Sequence, residues 1–194
     1  MERFEQDPDV GLMQRVAKED RAAFEELVLK YQKKVINTIY RYTGNPGVAE
    51  ELAQDVFVRV FRAAKKYRPE ARFSTWLFTI VRNVCANYRT REGKHDRQMD
   101  SEASPLLAGP AQQNPESDYQ RKEVQQKIQQ AIAELPESLR MPLVLNHFSQ
   151  MQYDEIARVL DLSLAAVKVR IHRARMALVE KLSALNPYVE TTDD

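Results

Sequence analysis

Apolar residues early in the chain recur at spacings of three and four. Val16, Ala23, Phe24, Leu27, Val28, Tyr31, Val35, Ile36 and Ile39 form one such series, the period of helices that bury one face in a bundle. TGNPG (43–47) interrupts it. Asn45 suits an N-cap and Pro46 the first helical position, where a missing N–H costs nothing. Glu50 and Glu51 then fall in the first turns of a new helix, where its dipole favours acids. Val48, Leu52, Val56, Phe57, Val60 and Phe61 supply a core face for that helix. Glu51, Gln54, Asp55 and Arg59 fall mostly on the other side. After KKYRPEARFS (65–74) a further helix is predicted from near Thr75, striped by Leu77, Ile80, Val81, Val84 and Tyr88, with Asn83, Asn87 and Thr90 on a different face.

Residues 93–118, GKHDRQMDSEASPLLAGPAQQNPESD, keep no period and read as a flexible, Gly- and Pro-bearing linker. Beyond them QRKEVQQKIQQAIAELPESLRMPLVLNHF suggests two helices meeting at Leu135-Pro136. QYDEIARVL, a DLS break and LAAVKVRIHRARMALVEKL follow. Ile156, Ala157 and Leu160 give the first of these an apolar side, Leu162 bridges the turn, and Val167, Ile171, Ala174 and Leu178 line the second. Ala157 is small enough for close approach and Ser163 can cap the second helix. That is a helix-turn-helix, whose second helix lies in the DNA major groove. The predicted fold is all-α: two small helical domains, 1–92 and 119–194, joined by the linker 93–118.

Composition supports this. Five glycines in 194 residues and no strand-like alternation fit an all-helical chain. No apolar run approaches the roughly 20 residues of a membrane span, and the N-terminus lacks a signal-peptide core. Cys85 is the single cysteine, so an internal disulfide or a cysteine zinc site is excluded, and the cytoplasm is the default address. The three histidines are scattered, and no metal or other cofactor is expected.

Net charge is only +1, but its distribution is uneven. Residues 1–92 hold 17 Lys+Arg against 13 Asp+Glu, 93–118 hold 2 against 5, and 119–194 hold 10 of each. Lys168, Arg170, Arg173 and Arg175 crowd eight positions, and no acid occurs from 162 to 179. With Val167 and Ile171 inward, Lys168, His172 and Arg173 project outward, while Arg170 and Arg175 lie toward the flanks. A charge run is most often a solvated face. The tight turn, the small alanine and the missing acids favour DNA here. The Asn83 face, beside Arg82 and Arg89 and near Tyr67, Phe73, Trp76 and Phe78, has the cations and rings that bind nucleic acid by charge and stacking. Core packing is the commoner role of any one such aromatic.

AEELAQDVFVRVFRA (49–63), RFSTWLFTIVRN (72–83), ELPESLRMPLVL (134–145) and YDEIARVLDLSLAAVKVRIHRAR (153–175), in this order, resemble bacterial sigma factors of the extracytoplasmic-function (ECF) group. The resemblance covers nearly the whole chain. It implies two helical domains, regions two and four, that bind core RNA polymerase and direct it to promoters of stress or envelope-response genes. It also implies residue roles. Glu51, Gln54, Asp55 and Phe57 match the helix that docks on the polymerase clamp. Tyr67 through Ser74 match the loop that captures a flipped −10 base, so Tyr67, Arg68, Arg72, Phe73 and Trp76, with Asn83 on the following helix, would meet melted −10 DNA. Lys168, Val169, His172 and Arg173 fall on the positions that read duplex −35 DNA. An anti-sigma partner, in the family often membrane-bound, is implied as well. The chain departs from the common pattern at Pro69 and Ala71 in the loop, at Ala165-Ala166 where Gly-Thr is frequent, and at Val169 where Ser is frequent. Val169 can instead contact a thymine methyl.

The near-neutral total suits this reading. Two weak DNA modules tethered to one platform gain effective concentration without a strongly basic surface, whereas a stand-alone binder neutralises many phosphates itself. The alternative is a stand-alone helix-turn-helix transcriptional regulator, which accounts for 153–175 but not for the acidic-amide helix at 50–59 or the Asn83 face. A DNA-cutting enzyme needs a positioned nucleophile or clustered metal carboxylates. Glu51 and Asp55 alone read better as a docking surface, so no enzymatic activity is expected.

Overall fold

The computed structural model describes residues 7–92 and 115–185; for 91, 92, 115–122, 184 and 185 only the backbone is described. Eight α-helices follow in order among these residues: α1 (Pro8–Val16), α2 (Arg21–Thr43), α3 (Pro46–Ala63), α4 (Phe73–Glu92), α5 (Pro115–Ala133), α6 (Glu137–His147), α7 (Tyr153–Leu160) and α8 (Leu164–Leu185), with a 3-10 turn at Ala64–Lys66. No strand occurs among the described residues.

The breaks have local causes. Gly44 ends α2 at φ 81°, a left-handed conformation that a residue without Cβ adopts freely. Asn45 then caps α3, its side-chain oxygen accepting from Val48 N–H at 3.1 Å. One boundary differs from expectation. The apolar series from Val16 to Ile39 is split, because Asp20 accepts from Ala23 N–H (3.1 Å) and starts α2 afresh after Glu19 at φ 68°. Two others shift. The fourth helix starts at Phe73 rather than near Thr75, and residues 115–118, assigned to the linker, belong to α5. The rest of the linker, 93–114, lies outside the described residues.

Helices α1–α4 enclose Met13, Leu27, Val35, Ile39, Val56, Leu77 and Phe78, all at 1% exposure or less. The second half does not stand apart. Leu145, Ile156, Val159, Val167 and Ile171 belong to the same continuous apolar core, with α7 packed on α4 and with α5 and α6 on α2. The two halves are thus packed together here.

A polar seam aligns them. Thr38 and Ser149 share a buried hydroxyl hydrogen bond of 2.7 Å. Tyr42 donates to Glu137 at 2.6 Å, and Arg82 Nε donates to the Val159 carbonyl at 3.2 Å. Arg41 lies over the Phe148 ring, 4.7 Å from its centroid, and donates to Gln129. Buried Arg140 donates to the carbonyls of Tyr42 (3.1 Å), Leu135 (2.8 Å) and Ala133. Buried polar groups demand such partners, so the seam specifies how the halves sit.

Cys85 lies fully buried beside this seam, and burial, followed by the Glu137 carboxylate, pushes its thiol up to about 12. Only the thiolate reacts. At pH 8 Cys85 is therefore expected to react with a disulfide reagent at least about a hundredfold more slowly than in the unfolded chain. Equal rates, followed by absorbance of the released thiol, would show that the seam is not formed in solution.

Candidate protein and nucleic-acid interfaces

Between α2 and α3 runs an open groove of about 760 Å³ with Phe24, Val28, Ile36, Phe57, Val58 and Phe61 in its walls. Phe61 is 46% exposed and Val58 44%, although Phe24 and Phe61 meet edge to face at 5.1 Å. Gln54 and Glu50 stand at its rim. Of the four docking candidates, Gln54 and Phe57 line the groove, with Gln54 exposed and Phe57 half-buried. Glu51 is exposed on the same helix, and Asp55 pairs with Arg59 one turn on at 2.8 Å. An apolar floor with a polar rim is the anatomy of a protein interface. Sequence reasoning assigned Phe24, Val28, Ile36 and Phe61 to the core and passed over Val58. The signal was available, since apolar residues at 56, 57, 58, 60 and 61 cover more than one stripe of a helix.

The six −10 candidates divide. Arg68, Arg72 and Asn83 are exposed, and Trp76 is half-buried. Tyr67 and Phe73, expected at the −10 strand, lie in the core at 8% and 1% exposure. They brace the loop. Tyr67 meets Trp76 at 4.9 Å and Phe73 at 6.2 Å, and Phe73 meets Tyr31 at 5.3 Å. Burial, then the nearby Asp7 and Asp9 carboxylates, push the Tyr67 phenol up to about 12. Arg72 faces Glu155 of α7 at 3.7 Å, so the second half lies directly against this surface.

The helix-turn-helix is formed as expected. Asp161 turns the chain at φ 54°, Leu162 N–H returns to the Ala157 carbonyl at 2.9 Å, and Ser163 Oγ accepts from Ala166 N–H at 3.1 Å to cap α8. Ile156, Val159, Val167 and Ile171 fix the helix pair from inside. Lys168, Val169, His172 and Arg173 are all exposed. Their spacing of one, three and one residues puts them on one face of α8. The flanking cations are engaged otherwise: Arg175 donates to Asn146 at 3.0 Å, and half-buried Arg170 lines a cleft between the two halves. Among the described residues no group of acids, His or Cys is placed to hold a metal, and no helix is long and apolar enough to cross a membrane.

Comparison with known proteins joins these surfaces. Residues 27–95, which carry most of the groove and the Asn83 helix, match the Sigma-70 region 2 family, and residues 125–178, which carry the helix-turn-helix, match the Sigma-70 region 4 family. The RNA polymerase sigma-H factor of Pseudomonas aeruginosa is 33% identical over 186 residues, covering 93% of this chain and 96% of that protein. The ECF RNA polymerase sigma-E factor of Escherichia coli is 35% identical over 187 residues, covering 93% and 97%. Among solved structures, CnrH in complex with the cytosolic domain of CnrY superposes at a TM-score of 0.70 with 25% identity, covering 92% of this chain and 99% of CnrH. The sigma factor RpoE of Bartonella quintana, solved with the anti-sigma factor NepR, shares the fold at a TM-score of 0.67 and 20% identity, over 82% and 96% of the chains. A groove-bearing region 2 and a helix-turn-helix region 4, in one chain that aligns with its relatives nearly end to end, leave one conclusion: the chain belongs to the sigma-70 family, as an RNA polymerase sigma factor of the ECF group.

Proposed function

We propose that this protein binds core RNA polymerase through the α2–α3 groove and the neighbouring Glu51, Gln54 and Asp55 of α3 and directs it to promoters. The −10 strand is melted and held by the 67–74 loop and Asn83, and the −35 duplex is read by Lys168, Val169, His172 and Arg173. The observation that carries this reading is the presence, beside a helix-turn-helix with four exposed readers, of a separate apolar groove that such a module does not need. Residues 1–92 and 119–194 act as the two working domains. In the packed form Glu155 of α7 lies 3.7 Å from Arg72, and on this reading promoter engagement parts α7 from α4. The proposal extends to an anti-sigma partner and to action in the cytoplasm or at the inner face of a membrane, as the complex of CnrH with a cytosolic domain suggests.

The test of the docking assignment is the double variant Gln54→Ala with Asp55→Ala. Both side chains lie off the core, so helicity by circular dichroism is expected to hold while affinity for core polymerase falls about tenfold or more, as when interface polar groups are truncated. Unchanged affinity with unchanged helicity would move the docking surface elsewhere.

A further inference from the structure

The loop assigned to the −10 strand leads into a helix that cannot cap itself. Arg72 holds the N-cap position of α4, its carbonyl accepting from Trp76 N–H at 3.2 Å, and an arginine side chain has no acceptor to offer the first amides. Asp7 supplies one from 66 residues away, its Oδ2 accepting from Phe73 N–H at 3.0 Å. Its Oδ1 accepts from Asp9 N–H at 3.1 Å and caps α1. One carboxylate closes the N-termini of two helices, and the dipoles of both favour its charge.

The same corner is fastened a second time. Asp9, 4% exposed, accepts from Tyr31 OH and from Lys30 Nζ, each at 2.5 Å. The Tyr31 ring lies 5.3 Å from that of Phe73, which in turn packs on Trp76 at 5.8 Å. Both ends of the loop, Tyr67 and Phe73, therefore rest on rings and amides held by the start of α1. Within the loop, from Arg68 to Arg72, Glu70 N–H returns to the Arg68 carbonyl at 2.9 Å, Arg68 bonds the Tyr67 carbonyl, and Arg72 faces Glu155 at 3.7 Å.

We propose that Asp7 is a positioning residue for promoter reading: by capping α4 from α1 it fixes the shape of the loop that takes up the −10 base. The proposal rests on the reading of that loop given above. It requires no contact between Asp7 and DNA.

The test uses the full chain and two readouts. Trp76 is the only tryptophan and packs on both anchors, so its emission reports the loop. In Asp7→Ala that emission is expected to shift to the red with total helicity unchanged. In holoenzyme with core polymerase, transcription from all single-base −10 and −35 variants is expected to show preference flattened about fivefold at one −10 position, the equivalent of one lost cap, with −35 preference unchanged. Asp7→Asn keeps one accepting oxygen and is expected to flatten that same position about twofold; it stands in if the alanine variant does not fold. An unchanged −10 preference overturns the proposal whether or not the emission shifts. So does a uniform loss across all −10 and −35 variants, which marks general destabilisation. A wild-type holoenzyme without any −10 base preference overturns the loop reading itself, and the wild-type arm tells that failure apart.

Discussion

Replacing Arg173 with alanine is expected to lower transcription from −35-dependent promoters and to flatten the preference at one −35 base pair, leaving affinity for core polymerase unchanged. Arg173 is exposed on α8 one turn beyond Val169 and next to His172, on a helix fixed by the Ser163 cap and by Val167 and Ile171 beneath it. A guanidinium so placed can make two hydrogen bonds to a guanine edge, and loss of such a pair costs about 1–3 kcal/mol at that position alone. Phosphate contacts, by contrast, position without specifying, so their loss weakens every sequence alike. Arg175 is the internal control. It is held by Asn146 at 3.0 Å, and Arg175→Ala is expected to leave base preference as it was. Transcription from every single-base −35 variant decides: a uniform loss in Arg173→Ala makes that residue a phosphate anchor, and no loss makes the cation face a solvated one.

Arg140→Leu is expected to be among the most damaging single substitutions in the chain. At 4% exposure, Arg140 donates to the carbonyls of Tyr42, Leu135 and Ala133 and lies over the Tyr42 ring at 5.6 Å. The Tyr42 and Ala133 carbonyls lie at the ends of α2 and α5, which their own helices cannot satisfy, and the Leu135 carbonyl lies just past α5. Leucine fills much of the space but leaves them without a donor, at about 1–3 kcal/mol for each that water cannot reach. A total loss of about 3 kcal/mol is expected, read as a fall in melting temperature of about 6–12 °C. Tyr42 belongs to the first half and Leu135 to the second, so the variant should also speed thiol labelling of Cys85. A loss under about 1 kcal/mol in thermal or urea unfolding would mean that relaxation and water replace the guanidinium.

What could be read from the sequence was what local chemistry decides. The Asn45-Pro46 start of α3, the Ser163 cap and the 157–167 turn lie within a few residues of the side chains that make them, and all three formed as expected. The split at Asp20 was equally local but hidden inside a continuous apolar series, which does not show that the chain has turned. The fates of Tyr67 and Phe73 were not legible, because an aromatic in a short loop can face either way and the choice was made by Tyr31, far upstream. The seam was beyond reach for the same reason: Thr38 and Ser149 meet across 111 positions, and neither residue's neighbourhood announces the other. Asp7 meets Phe73 across 66 positions, a duty that exists only in the fold. Charge counts gave the least, since the cations of α8 are divided between exposed readers and engaged flanks.

Initiation in a reconstituted system tests the central claim most directly. Core RNA polymerase, this protein and a library of promoter-length duplexes, scored by run-off transcription, are expected to give transcripts from a subset sharing −35 and −10 elements at fixed spacing. Core polymerase alone should give none from that subset, and the protein alone should bind the same duplexes only weakly. Tight, sequence-specific binding by the protein alone, with no transcripts gained when it joins core polymerase, would contradict the account and point to a stand-alone helix-turn-helix regulator.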